Sequence, residues 1–166
     1  MTAEGYARLT AWWRAHPRAL AALRACNTAL TALGWFAYPL LLVLAALLQP
    51  GLLPRFVLVP GLGFALCTAL RVAIDQPRPY ERLSIEVLIP KQTKGRSFPS
   101  RHVFSMTVIA LSWLSWVPAV GAVLLVASVF MGYARVVGGV HFAHDVAGGA
   151  ALAVLGAAVG YLLVNW

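Results

Sequence analysis

Tyr133-Ala134-Arg135-Val136-Val137-Gly138-Gly139-Val140-His141-Phe142-Ala143-His144-Asp145-Val146-Ala147-Gly148-Gly149 sets an arginine, two histidines and an aspartate into an otherwise almost wholly apolar part of the chain. Ionisable groups in such surroundings are costly without partners, so by default they mark a functional site. The spacing adds to this. If a helix begins near His141, Asp145 stands four residues on and shares its face. The carboxylate then accepts the proton of one imidazole nitrogen and fixes the tautomer, leaving the other nitrogen to attack or to take a proton. Arg135, at the end of the preceding segment, reaches the same point as an anion clamp. A polar patch that staples two helices together is the structural alternative.

The surroundings of this stretch set the class of protein. Of 166 residues, 61% are hydrophobic and only 11% charged, with a mean hydropathy of +0.80. Soluble domains carry about 25% charged residues, so the chain reads as an integral membrane protein of one domain. The net charge of +8 is then no nucleic-acid signal, because no soluble basic face is present to grip a duplex. Cys26 and Cys67 lie in apolar context without metal-ligand spacing and read as small hydrophobes. The first twenty-five residues contain four arginines and no clean apolar core, which argues against a cleavable signal peptide.

Working outward, residues 1–26 mix Trp12, Trp13, Leu20 and Leu23 with Arg8, Arg14, Arg18 and Arg24. This pattern predicts an amphipathic helix from about Thr2 to Ala25 lying in the headgroup layer, kinked or divided at Pro17. Residues 27–166 form the membrane domain. Five apolar segments are expected there: about Asn27–Leu48, Phe56–Ala73, His102–Trp116, Ala119–Val137 and Ala143–Val164. Each is near the roughly 20 residues that cross a hydrocarbon core, the third being shortest, and in lipid each must be a helix. The expected fold is therefore an all-α polytopic bundle with about five transmembrane helices and an interfacial N-terminal helix. A polar loop occupies about Asp75–Ser100.

That count has a topological consequence. The end of the second segment, the start of the third, the end of the fourth and the start of the fifth all fall on one side of the membrane. Arg71, Arg78, Ser100, Arg101, His102, Arg135, His141 and Asp145 sit at or beside those ends. Stapling residues would instead be scattered in depth. Arg71, Arg78 and Arg135 facing one small volume repel each other unless an anion is present, and the guanidinium fork matches phosphate oxygens in bidentate fashion. The start of the third helix adds backbone N–H groups, and Ser100 adds a hydroxyl. With His102 and His141, this is a set for phosphoryl transfer through a covalent intermediate. One histidine attacks and the other protonates the departing alkoxide.

Three motifs in register then resemble the type 2 phosphatidic acid phosphatase family, whose site is shared by vanadium haloperoxidases. Lys, six residues, Arg-Pro reads here Arg71-Val-Ala-Ile-Asp-Gln-Pro-Arg78-Pro79. Pro-Ser-Gly-His reads Pro99-Ser100-Arg101-His102. Ser-Arg, five residues, His, three residues, Asp reads Ala134-Arg135, then His141 and Asp145. The resemblance implies His141 as nucleophile, oriented by Asp145, and His102 as general acid. It implies that Arg71, Arg78, Arg135 and Ser100 hold the phosphate, with no metal or other cofactor. Arginine at 71 keeps the lysine's charge, and alanine at 134 loses one hydroxyl. Arg101 departs most, because glycine there lets backbone approach the phosphate closely. Arg101 is counted with the phosphate-binding residues, reaching outward to a headgroup or narrowing what the pocket accepts.

Other polar residues receive blander readings. His144 lacks a convincing further ligand for a metal. Asp75 pairs with an arginine or caps the loop. Lys91, Lys94 and Arg96 form a solvated face attracted to anionic lipid, and Tyr80 and Phe98 line the pocket or serve the interface. The expected activity is hydrolysis of a lipid phosphate or diphosphate: phosphatidate, phosphatidylglycerol phosphate or an isoprenoid diphosphate. The alternatives are a phosphotransferase to an acceptor other than water and a non-catalytic lipid-phosphate binder. Leaving out site residues, Arg8, Arg14, Arg18, Arg24, Arg82, Lys91, Lys94 and Arg96 lie on the motif side and Arg55 alone opposite. The positive-inside tendency makes the motif side cytoplasmic, in a multi-pass protein of the cell membrane, a bacterial inner membrane. The resemblance implies six helices with an outward site in bacterial relatives, and the expected counterpart of their first helix is missing from the five-segment reading.

Overall fold

The structure, a computed structural model, describes residues 3–83 and 85–163. Thr2 and Val164, the expected outer limits of the first and last segments, lie outside the described residues. Seven α-helices occur among those described: α1 (Ala3–Ala15), α2 (Pro17–Leu48), α3 (Leu53–Ile74), α4 (Pro79–Arg82), α5 (Arg101–Leu114), α6 (Pro118–Val137) and α7 (Ala143–Ala158). A 3₁₀ turn, Pro50–Leu52, precedes α3, and a π-helical turn, Val159–Leu163, continues α7.

The division at Pro17 is present, with His16 between α1 and α2. The second half of the expected interfacial helix continues without a break into the first apolar segment. A proline is tolerated in a helix's first turn, where its missing N–H has no intrahelical partner, so Pro17 starts a helix instead of interrupting one. The 32-residue α2 is about 48 Å long, well beyond the roughly 30 Å hydrocarbon core. Tyr6, Leu9, Thr10 and Trp13 recur at helical spacing on one face of α1. That face packs towards the bundle while Arg8, Trp12 and Arg14 stay exposed. The Tyr6 hydroxyl donates to Val136 O at the end of α6, and Arg14 pairs with Glu86 at 2.5 Å. Burial pushes the Tyr6 phenol up to about 12, opposed by a backbone hydrogen bond.

Among the described residues, four stretches are long and apolar enough to cross a membrane: Pro17–Leu48, Pro50–Arg82, Pro118–Val137 and Ala143–Leu162. The third expected segment, α5, has 14 residues and is about 21 Å long. It stops because Val117 precedes Pro118, a context that disfavours α geometry. It is also the helix the others surround, packing against α2, α3, α6 and α7. Val103, Phe104, Met106, Val108, Ile109, Ala110 and Trp113 of α5 are all buried. By contrast Trp35, Phe36, Leu47, Leu62, Val129 and Leu162 on the outer helices are exposed, an apolar exterior suited to lipid. Polar groups stitch the centre: Thr107 Oγ1 lies 2.7 Å from Ser128 Oγ, and Trp113 Nε1 donates to Ala37 O at 3.0 Å. Such bonds between helices help to hold bundles in lipid.

Candidate active site

The α6–α7 turn delivers the second histidine. Gly139, with φ +78°, takes the left-handed conformation that a side chain resists, and His141 follows two residues later. Asp145 is the third residue of α7, and its Oδ2 accepts the N–H of Phe142, the residue capping that helix, at 2.8 Å. This is half of a capping box, with the carboxylate placed where the helix dipole favours it. Gly149, one turn on, lets α7 close against the residue before α5; a Cβ there would lie 2.6 Å from Ser100 O. Ser100 N donates to Asp145 O at 2.9 Å in return.

The loop from α4 to α5 is held by its own polar groups. Glu81 accepts the N–H of Arg78 at 2.8 Å and that of Gly95 at 2.9 Å. Asp75 accepts from Arg96 N at 3.2 Å, which makes it a loop cap. Leu88 N and Ile89 N donate to Gly138 O at 3.1 and 3.3 Å, tying the loop to the turn that carries His141.

Arg71, Arg78, Arg101, His102, Arg135 and His141 line one small cavity of about 30 Å³. Six of the eight expected site residues thus meet in a single space, the two exceptions being Ser100 and Asp145 just behind it. Arg71 Nη1 donates to Ser97 O at 3.1 Å and to Pro99 O at 2.5 Å. Arg78 is held through Nε to Gly95 O and through Nη1 to Val140 O, each at 3.1 Å. Both guanidinium groups are therefore aimed by backbone carbonyls and keep further N–H groups for a ligand. Arg135 Nε and Ser100 Oγ are buried without a hydrogen-bond partner. Buried unpaired donors are unfavourable, and a phosphate oxygen is the acceptor that this cationic setting selects.

Behind the cavity, Asp145 is fully buried and saturated. Its Oδ1 takes Gln76 Nε2 at 3.0 Å, and its Oδ2 takes the Ser97 hydroxyl at 2.5 Å. His141 Nδ1 lies 3.5 Å from Asp145 Oδ2 but 3.2 Å from Ser97 Oγ. Since the single Ser97 proton goes to the carboxylate, the hydroxyl accepts Nδ1–H of His141. The link from imidazole to carboxylate runs through serine, and Nε2 of His141 is left unprotonated. Burial pushes the His141 pKa down to about 4, against the raising effect of the nearby Asp145 carboxylate, so the ring is neutral at pH 7.

Ser97 and Gln76 are residues that motif spacing missed. Lys91 is another, and its reading as a solvated loop face is corrected: it lines the cavity with the arginines. The backbone bonds of Leu88 and Ile89 fold the loop over the site, which no local pattern reveals. Burial lowers the Lys91 pKa, with Arg78, Arg135, Arg101 and Arg71 adding to the effect. His144 stacks on Phe142 with ring centroids 5.2 Å apart and accepts from Gln76 Nε2 at 2.7 Å. Tyr80 donates to Thr93 O.

A second, larger cavity of about 520 Å³ adjoins the first between α2, α3 and α5. Its walls are apolar side chains such as Leu30, Trp35, Phe64 and Met131, and its polar border includes Arg101 and His102. Those two residues belong to both spaces.

The chain resembles two solved structures over most of its length. Aquifex aeolicus LpxE superposes with a TM-score of 0.71 at 28% identity, covering 84% of this chain and 85% of that one. The first transmembrane PAP2-type phosphatidylglycerolphosphate phosphatase from Bacillus subtilis gives 0.65 at 26% identity, covering 94% and 90%. No curated protein matches the chain by sequence. The model of the PAP2 superfamily matches residues 53–166, the stretch that contains every motif residue above, and the chain belongs to that family.

Proposed function

We propose that this chain is a multi-pass membrane phosphatase that releases phosphate from a lipid phosphate or diphosphate through a phosphohistidine at His141. Family membership and the two neighbours support a lipid phosphatase in the general sense. The finer reading is carried by the double placement of His102, which borders both the cationic cavity and the apolar one. A lipid phosphate has one point where a charged group meets a hydrocarbon chain, and it is the ester oxygen that must leave. His102 stands at that junction, while His141 lines only the cationic space.

The chemistry then follows. Arg71, Arg78 and Arg135 hold the phosphoryl oxygens and offset the charge that spreads over them. Nε2 of His141 forms a bond to phosphorus as the bond from phosphorus to the lipid oxygen breaks. His102, charged once the bound phosphate dianion offsets the surrounding cations, gives its proton to that oxygen, and the lipid product is an alcohol from a monophosphate or a lipid monophosphate from a diphosphate. Water next attacks the phosphohistidine and loses a proton to His102, which restores both histidines and frees inorganic phosphate. Ser97 and Asp145 hold the His141 tautomer throughout.

Purified enzyme in neutral detergent micelles with phosphorus-labelled phosphatidate and phosphatidylglycerol phosphate tests this. Wild type is expected to give an acid-labile, alkali-stable phosphoprotein after a rapid quench. His141→Ala should lose both the label and phosphate release, and Asp145→Asn should keep a small residue of turnover. Undiminished phosphate release by His141→Ala would remove the mechanism.

A further inference from the structure

Five cations border the phosphate cavity: Arg71, Arg78, Arg135, Lys91 and Arg101. The first three belong to the motif pattern and suit one phosphate. Lys91 and Arg101 stand outside that pattern, the second where the family has glycine. Neither has a hydrogen-bond or ion-pair partner among the described residues. The guanidinium of Arg101 lies over the Phe64 ring, 6.0 Å from its centroid, at the border of the apolar cavity. Among the described residues, the two carboxylates nearest the site are already engaged. Asp145 is occupied by Phe142 N, Ser97 and Gln76, and Glu81 by the N–H groups of Arg78 and Gly95.

Unpaired cations gathered at low dielectric repel one another strongly. A single phosphate monoester, at most a dianion, leaves the set in positive excess. Arg101 and His102 both border the apolar cavity, so Arg101 lies on the side from which the lipid's leaving oxygen departs. Lys91 borders the cationic cavity, which Arg101 and His102 also line, from the α4–α5 loop.

We infer that Lys91 and Arg101 form a second anion subsite beside His102, which takes a phosphate or phosphodiester group carried next to the transferred phosphate in the same lipid. This rests on the phosphatase reading above and narrows its substrate class to lipids with two neighbouring anionic phosphorus groups, either a diphosphate or a phosphodiester bearing a terminal phosphate. A neighbouring anionic headgroup offers the same chemistry, and the experiment separates the two sources.

The test measures kcat/KM in neutral micelles for phosphatidate and for phosphatidylglycerol phosphate, in wild type, Lys91→Ala, Arg101→Gly and the conservative Arg101→Lys. Each neutralising variant is expected to lose at least about tenfold more on phosphatidylglycerol phosphate than on phosphatidate, while Arg101→Lys recovers part of the difference. Thermal unfolding of each variant in detergent, compared with wild type, reports that it folds. Equal losses on both substrates would overturn the subsite, placing both cations around the transferred phosphate itself. So would a rise in wild-type phosphatidate turnover when phosphatidylglycerol is added to the micelles, if the variants lack it, because the anion would then be a neighbour's. If wild type released phosphate from neither lipid, the phosphatase reading would fall first.

Discussion

Ser97 Oγ stands 2.5 Å from Asp145 Oδ2 and 3.2 Å from His141 Nδ1, closer to the imidazole than the carboxylate that sequence spacing pairs with it. The His141–Asp145 spacing of four was legible, because one helical turn fixes it. The intervening hydroxyl was not, because Ser97 arrives from a loop whose path depends on contacts far along the chain. Ser97→Ala is expected to lower kcat about 10–100-fold, the scale of losing a group that orients a reacting ligand, with KM nearly unchanged. Histidine nitrogen spectra of the same protein supply a reading that a merely structural role would not move. Wild-type His141 should show a single Nδ1–H tautomer, and the variant a mixture. The folded-state pKa of His141 lies below the unfolded value of about 6.5, at about 4. The neutral imidazole therefore persists as pH falls through 6.5 and is lost only near 4. A midpoint near 6.5 in those spectra, or a change in KM alone, would count against the relay.

Helix ends carry the site, and glycine sets how closely two of them meet. Gly149 allows the first turn of α7 to sit on Ser100, with a Cβ there only 2.6 Å from Ser100 O and 3.3 Å from Ser100 N. Those are backbone atoms, so no side-chain rotation relieves the overlap. Gly149→Ala should push α7 off the start of α5 and lengthen the Ser100 N to Asp145 O bond, now 2.9 Å. Overpacking of this kind destabilises by about 1–3 kcal/mol, so thermal unfolding in detergent should shift down and turnover should fall with it. An alanine variant with unchanged melting and turnover would show that the helices separate at no cost. The glycine richness of this segment reads from sequence as close packing; which backbone it touches does not.

Across the molecule, the site lies where α3, α5, α6 and α7 begin or end on one side of the bundle, and α1 docks beside the turn that carries His141. Cations outside the site share that side, eight against Arg55. The positive-inside tendency makes the expected orientation cytoplasmic. Thr93, in the loop over the cavity, is the position to probe. With Cys26→Ser removing the exposed thiol and Cys67 buried, Thr93→Cys offers one reactive site. A membrane-impermeant thiol reagent should label it in inverted vesicles and leave it untouched in intact cells. Labelling in intact cells would place the phosphatase site on the outer face.

Membrane residence, the helical class and the motif residues were determined by the sequence alone, since a bilayer admits few backbone solutions and a charged group inside it needs a reason. The five-segment count was enough to bring Arg71, Arg78, His102, Arg135 and His141 to one side. Only the tertiary structure decided that α5 is the enclosed central helix, that Lys91 lines the cavity with the arginines, and that Ser97 joins His141 to Asp145. Those three depend on how a polar loop folds back over helix ends through backbone hydrogen bonds such as Leu88 N to Gly138 O. Contacts between residues that far apart leave no periodicity to read.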